Sequence, residues 1–174
     1  TRSPRAECGR MPQYDGGWMV TSLLPVIGKP APDFSLPATT GENISLKQYK
    51  GKKTVILYFY PKDETPGCTK EACEFRDHAA EFERLNVVVL GVSTDPLETH
   101  LRFRDKHQLP FPLLADADAA VSKQFGVFKQ KNVSGKKSMG IERTTFVIDR
   151  TGRIAQIYPK VKVEGHMTDL LSFV

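Results

Sequence analysis

The residues with most chemical promise lie in one loop, Tyr60-Pro61-Lys62-Asp63-Glu64-Thr65-Pro66-Gly67-Cys68-Thr69-Lys70-Glu71-Ala72-Cys73. Proline is tolerated at the first position of a helix, so Pro66 as N1 makes Thr65 the N-cap and Cys68 the N3 residue. The backbone N–H groups of a first turn have no partner and the helix end carries a partial positive charge, which together favour a thiolate over a thiol. Stepping back from Ala72 along the apolar face turns Cys68 inward, into a recess. Many cysteines are buried for structural reasons alone; the helix-cap position and the strand that ends just before it mark Cys68 as a reactive sulfur instead.

The elements that must position this loop can be read on either side of it. Thr54 to Tyr60 and Asn86 to Ser93 are β-branched and aromatic runs, the composition of strands covered on both faces. Between them Ala72, Phe75, Ala79 and Phe82 recur at steps of three and four, the buried face of one amphipathic helix. A strand, a helix and a parallel strand form a right-handed crossover, and open α/β sheets place their sites at the ends of such strands. Ahead of this unit the chain becomes ordered near Gly28, and a turn at Thr40-Gly41-Glu42-Asn43 predicts a short hairpin. Behind it, helices are predicted over Pro96 to His107, with Leu97, Leu101 and Arg104 on one face, and over Ala117 to Phe125, capped by Gly126. Strands Thr144 to Ile148 and Ile154 to Tyr158 flank a turn at Asp149-Arg150-Thr151-Gly152, and Met167 to Phe173 forms a last helix. This order predicts an α/β fold, a thioredoxin-like sandwich with a central mixed β-sheet flanked by helices.

Composition bounds the rest. The 174 residues, 40% hydrophobic and 26% charged, are enough for one core, which the pattern places over residues 28–174. Residues 1–27 read as a disordered or vector-derived leader or the remnant of a targeting segment, with Met11 and Met19 as alternative natural starts; Cys8 lies in it with no ordered partner. No apolar run approaches the about 18 residues of a membrane-spanning helix. The net charge of +5 is spread along the chain except at Lys129, Lys131, Lys136 and Lys137, read as a solvated basic loop rather than a nucleic-acid site. Three cysteines are too few for a disulfide scaffold. His78, His100, His107 and His166 show no metal-ligand spacing, and no cofactor is implied.

The stretch Phe59 to Ala72, with its P-x-x-x-T-x-x-C spacing, resembles the active-site signature of peroxiredoxins, and of the bacterioferritin-comigratory or peroxiredoxin Q subfamily in particular. The likeness continues through Pro32-Asp33-Phe34, Gly91-Val92-Ser93, Arg143-Thr144-Thr145-Phe146-Val147-Ile148-Asp149 and Gly165-His166. The resemblance implies a thiol peroxidase in which Cys68 attacks hydrogen peroxide or an organic hydroperoxide and Cys73 resolves the product as a Cys68–Cys73 disulfide. It further implies that Pro61 shields the sulfur, that Thr65 offers its hydroxyl to the thiolate and the peroxide, and that Arg143 reaches across from the late hairpin. Apart from the family, Arg143 is a charge at a strand start and Thr65 an N-cap. Thioredoxin or a glutaredoxin-like dithiol is the implied reductant, with no nucleic-acid or membrane partner. The implied enzyme is a cytoplasmic monomer, or an organellar one if the N-terminal segment is a leader remnant.

A thioredoxin-like disulfide oxidoreductase or thiol-dependent chaperone is the alternative, but such proteins carry C-x-x-C, whereas this sequence has C-x-x-x-x-C. Five residues of helix advance about 7.5 Å and turn about 140°, separating the two Cα atoms by roughly 8.6 Å. A disulfide rarely spans more than about 7 Å. The spacing therefore predicts that both cysteines sit on one helix when reduced, and that the helix unwinds from Pro66 to Phe75 when they join.

Overall fold

The computed structural model describes residues 24–174; Cys8, Met11, Met19 and all but the last four residues of the leader read over residues 1–27 lie outside the described residues. Five strands form the central sheet, in the spatial order Leu113–Ala115, Val87–Ser93, Thr54–Phe59, Thr144–Ile148 and Ile154–Tyr158. β3 (Thr54–Phe59), β4 (Val87–Ser93) and β5 (Leu113–Ala115) run parallel, and β8 (Thr144–Ile148) and β9 (Ile154–Tyr158) complete it antiparallel. The sheet is mixed, as the sequence predicts.

β3 shows why the sheet is covered on both sides. Val55, Leu57 and Phe59 enter one core with Phe34, Leu36, Phe125 and Phe146, while Ile56, Tyr58 and Tyr60 enter the other with Phe75, Phe82, Phe103 and Leu170. Successive side chains of a strand point to opposite faces, so a run apolar at every position needs a layer on each. On the Tyr58 side lie α1 (Pro66–Asp77), α2 (Ala79–Arg84), α3 (Leu97–His107) and α5 (His166–Phe173). The other side is closed by the hairpin of β1 (Ser35–Pro37) with β2 (Asn43–Ser45) and by α4 (Ala120–Gln124). Tyr58 packs so closely on β4 that a Cβ on Gly91 would stand 2.9 Å from its hydroxyl. Glycine is needed there for room.

Three readings of the sequence need correction. The face Ala72, Phe75, Ala79, Phe82 belongs to two helices, because His78 takes φ −104° and ψ 8° and its ring Nδ1 donates to Glu74 O at 2.9 Å, competing with the helical ladder. α3 buries His100 and Phe103 rather than Leu97, Leu101 and Arg104, since His100 is paired inside the protein and so can face inward. The lysine-rich stretch is no loop: β6 (Phe128–Val133) and β7 (Lys136–Ile141) pair antiparallel around Ser134 and Gly135, both at positive φ as a two-residue hairpin turn requires. Among the described residues no helix is long and apolar enough to cross a membrane.

Candidate active site

The loop from Pro61 to Thr65 leaves β3 and turns into α1, and its conformation is set from below by Asp63, whose side chain is fully buried. Asp63 Oδ1 accepts from Tyr60 OH at 2.6 Å, and Oδ2 accepts from His100 Nδ1 at 2.6 Å. His100 Nε2 donates onward to Leu114 O at 2.9 Å. The Asp63 N–H meets Asp95 Oδ2 at 2.8 Å, an oxygen that also accepts from Ser93 Oγ at 2.6 Å. Thus the ends of β4 and β5 and the middle of α3 all hold the loop. Asp63, Asp95 and His100 bring ligand-type atoms within 4.8 Å of one another, a grouping that spacing along the chain had hidden. The hydrogen bonds among them and to Tyr60, Ser93 and Leu114 account for their burial without an ion.

Above this base Cys68 occupies N3 of α1, 2% exposed, with Thr65 as N-cap and Pro66 at N1, as the sequence predicts. Arg143 precedes β8 and donates from Nη2 to Cys68 Sγ at 3.3 Å and from Nη1 to Glu71 Oε1 at 2.8 Å. Its backbone carbonyl accepts from Val161 N at 2.9 Å, which fixes the base of the side chain. Room for the guanidinium comes from Gly67, where a Cβ would lie 3.1 Å from Nη2. Burial works to lower the Arg143 pKa, but the charges of Glu71 and Cys68 outweigh it and the net shift is upward. Burial pushes the Glu71 carboxyl up to about 7 against the pull of Arg143, and its Oε2 has no hydrogen-bond partner among the described residues.

Thr65 differs from the expectation. Its hydroxyl donates to Lys62 O at 2.8 Å and makes no cap bond, so its proton is committed to the loop rather than to the sulfur. Pro61 is half-buried at the loop's start. Cys73 lies on the same unbroken α1, half-buried and, like Cys68, a free thiol. Two further residues at the site escaped the sequence reading. Glu71 looked like one more helix charge, and Lys131 like part of a solvated loop. Lys131 lies across its hairpin over Gly140, and burial, then Arg143, hold its ammonium below the usual range. A charged residue at a buried step of the α1 face was the available signal for Glu71, and the Ser134-Gly135 turn for the hairpin.

A thioredoxin-like sheet with a buried cysteine at a helix N-terminus, bonded by an arginine that precedes a strand far along the chain, is the arrangement of a thiol oxidoreductase. Residues 27–157 match the family model of the AhpC/TSA family. The chain is 54% identical to the putative peroxiredoxin bcp of Coxiella burnetii over 145 residues, 83% of this chain and 95% of that one. It is 50% identical to peroxiredoxin Bcp of Bacillus subtilis over 145 residues, 83% of this chain and 92% of the relative. Among solved structures, a mutant of Xylella fastidiosa PrxQ superposes with a TM-score of 0.80 at 38% identity, covering 85% of this chain and 94% of that one. The bacterioferritin comigratory protein of Xanthomonas campestris, which reduces alkyl peroxides, gives 0.75 at 39% identity over 80% and 88%. The chain therefore belongs to the AhpC/TSA family, in its Bcp and peroxiredoxin Q branch, and is a thiol-dependent peroxidase.

Proposed function

We propose that Cys68 is the peroxidatic sulfur, that Cys73 resolves its sulfenic acid as an intramolecular disulfide, and that thioredoxin or a glutaredoxin-like dithiol restores the enzyme. The observation that carries this reading is the contact from Arg143 Nη2 to Cys68 Sγ at 3.3 Å in a buried recess. Attack on the O–O bond is an in-line displacement in which negative charge grows on the departing oxygen, and a fixed cation with first-turn N–H groups stabilises that charge. Glu71 keeps Arg143 oriented before substrate arrives. Because Thr65 gives its proton to Lys62 O, its oxygen serves as an acceptor for the hydroperoxide O–H, and Pro61 walls the recess. Organic hydroperoxides join hydrogen peroxide as substrates, by analogy with the X. campestris relative. The catalytic domain spans residues 28–174 and acts as a cytoplasmic monomer without a nucleic-acid or membrane partner.

The test compares Cys68→Ser with Cys73→Ser in single turnover. Cys68→Ser is expected to consume no peroxide. Cys73→Ser should react once at the normal rate and accumulate sulfenic acid, then sulfinic acid, at Cys68, read by mass. A Cys73→Ser enzyme as inert as Cys68→Ser refutes the assignment.

A further inference from the structure

Cys73 is held by residues that play no part in the attack on peroxide. Its Sγ lies 4.0 Å from His107 Nδ1, at the last residue of α3. Three positions further along α1, Arg76 donates from Nη1 to the His107 carbonyl at 2.9 Å, with its Nε on Asp77 Oδ1 at 3.1 Å. His107 itself belongs to the fixed frame. Its ring stands edge-on to Phe103 with centroids 5.2 Å apart, and its Nε2 lies 3.7 Å from Glu64 Oε2 in the loop, a carboxylate also held by Lys106 Nζ at 3.1 Å. The end of α3, tied to the loop and to Phe103 through the His107 ring and to α1 through Arg76, is thus the socket against which the Cys73 thiol rests.

We propose that Arg76 and His107 are positioning residues for the second half of the reaction: by holding Cys73 in this socket they set how the Cys68 sulfenic acid divides between disulfide formation and further oxidation. The inference rests on the Cys68 and Cys73 assignments above. In resolution the Cys73 sulfur bonds to the Cys68 sulfur and the Cys68 S–O bond breaks. The oxygen leaves as hydroxide and takes up the proton that Cys73 gives away, so one water is formed. In the competing path a second hydroperoxide transfers an oxygen to the same sulfur, giving sulfinic acid and the corresponding alcohol or water. The first path requires Cys73 to leave His107, because an intact helix keeps the sulfurs apart. The second requires no movement. Every contact that seats Cys73 therefore lengthens the life of the sulfenic acid and raises its exposure to peroxide.

The experiment uses the whole chain with Arg76→Met, which keeps the stem and removes the donor, and His107→Phe, which keeps the aromatic contact and the backbone carbonyl. Three readouts are taken: the rate of the first oxidation, the rate of disulfide formation, and the hydrogen peroxide concentration at which Cys68 over-oxidises per turnover. Both variants are expected to keep the first rate within about twofold. Disulfide formation should be faster, and the over-oxidation threshold higher, by about tenfold, the lower end of what a hydrogen bond to a charged group provides. A merely structural role would change stability without moving this ratio. Wild-type protein that forms no Cys68–Cys73 disulfide overturns the assignment of Cys73, and the socket with it. Wild type that forms the disulfide, beside variants whose threshold is unchanged or lower, overturns the socket alone. Arg76 is only half-buried, so Arg76→Met keeps the question open to measurement even if His107→Phe folds poorly.

Discussion

Joining Cys68 to Cys73 must unwind α1, and the structure shows what the unwinding disturbs. Both sulfurs lie on one continuous helix, Pro66–Asp77, so their Cα atoms stand roughly 8.6 Å apart against a disulfide limit of about 7 Å. The first turn is cheap to open, since its N–H groups have no helical partner. Resistance comes from Phe75, which is fully buried and stacked on Tyr58 with centroids 4.5 Å apart. Exposing Phe75 costs about 1.5–3 kcal/mol and losing the stack about 0.5–1.5 kcal/mol. The sum, about 2–4.5 kcal/mol, puts the open form at roughly one molecule in 30 to one in 2,000 before the bond forms. Amide hydrogen exchange reads this directly. In reduced protein the amides of residues 70–75 should be protected by roughly that factor, and in the disulfide form protection should fall close to none. Val87 to Val92, central in the sheet, should exchange alike in both states. Equal protection of residues 70–75 in the two states, with the disulfide verified by mass, refutes the reasoning.

Other expectations follow from the same geometry. Gly67→Ala pushes a methyl to 3.1 Å from Arg143 Nη2, and shifting the guanidinium by a few tenths of an ångström should slow the first oxidation about tenfold, with the melting temperature little changed. Arg143→Ala and Thr65→Val should each slow it by about a hundredfold or more in stopped-flow measurements, the scale of losing one preorganised group; a normal rate in either removes that residue from the site. Glu71 is raised from 4.5 to about 7 in the folded protein, so it contributes stability below about pH 4.5 that is lost as the pH climbs through 7. The melting temperature of wild type should therefore decline between pH 5 and 8 relative to Glu71→Gln, and parallel profiles would show that Glu71 does not titrate in this range.

Much of the fold was legible because its signals are local. The runs Thr54 to Tyr60 and Asn86 to Ser93 are too apolar to be anything but covered strands, and the order of Thr65, Pro66 and Cys68 carries its own helix start. What was missed depends on partners far away in sequence. β5 has three residues, too few for any periodicity, and exists because Leu113 to Ala115 align beside β4. The hairpin of β6 and β7 hid behind its lysines, since β7 is buried only at its last residue, Ile141. His100 read as polar because its partner Asp63 lies 37 positions earlier. Likewise the place of Cys68 in the first turn of its helix was visible in its own loop, whereas the Glu71 to Arg143 pair spans 72 positions and the contact of Cys73 with His107 spans 34.

The Asp63 network bears on how portable this catalyst is. The signature from Pro61 to Cys68 is only eight residues long, which invites transplanting it to another thioredoxin-like scaffold. Yet the groups that set its shape, Tyr60, Ser93, Asp95 and His100, lie outside the signature, three of them on a later strand, its following turn and the next helix. A graft of the loop alone would leave Asp63 as an unpaired buried carboxylate, and the recipient would expel it toward water. The loop would then open, and the cysteine would lose its place at the head of the helix. The smallest transferable unit is therefore the loop with Tyr60 before it, together with the whole segment from Ser93 to His100, a requirement that any redesign of this peroxidase on a foreign frame must meet.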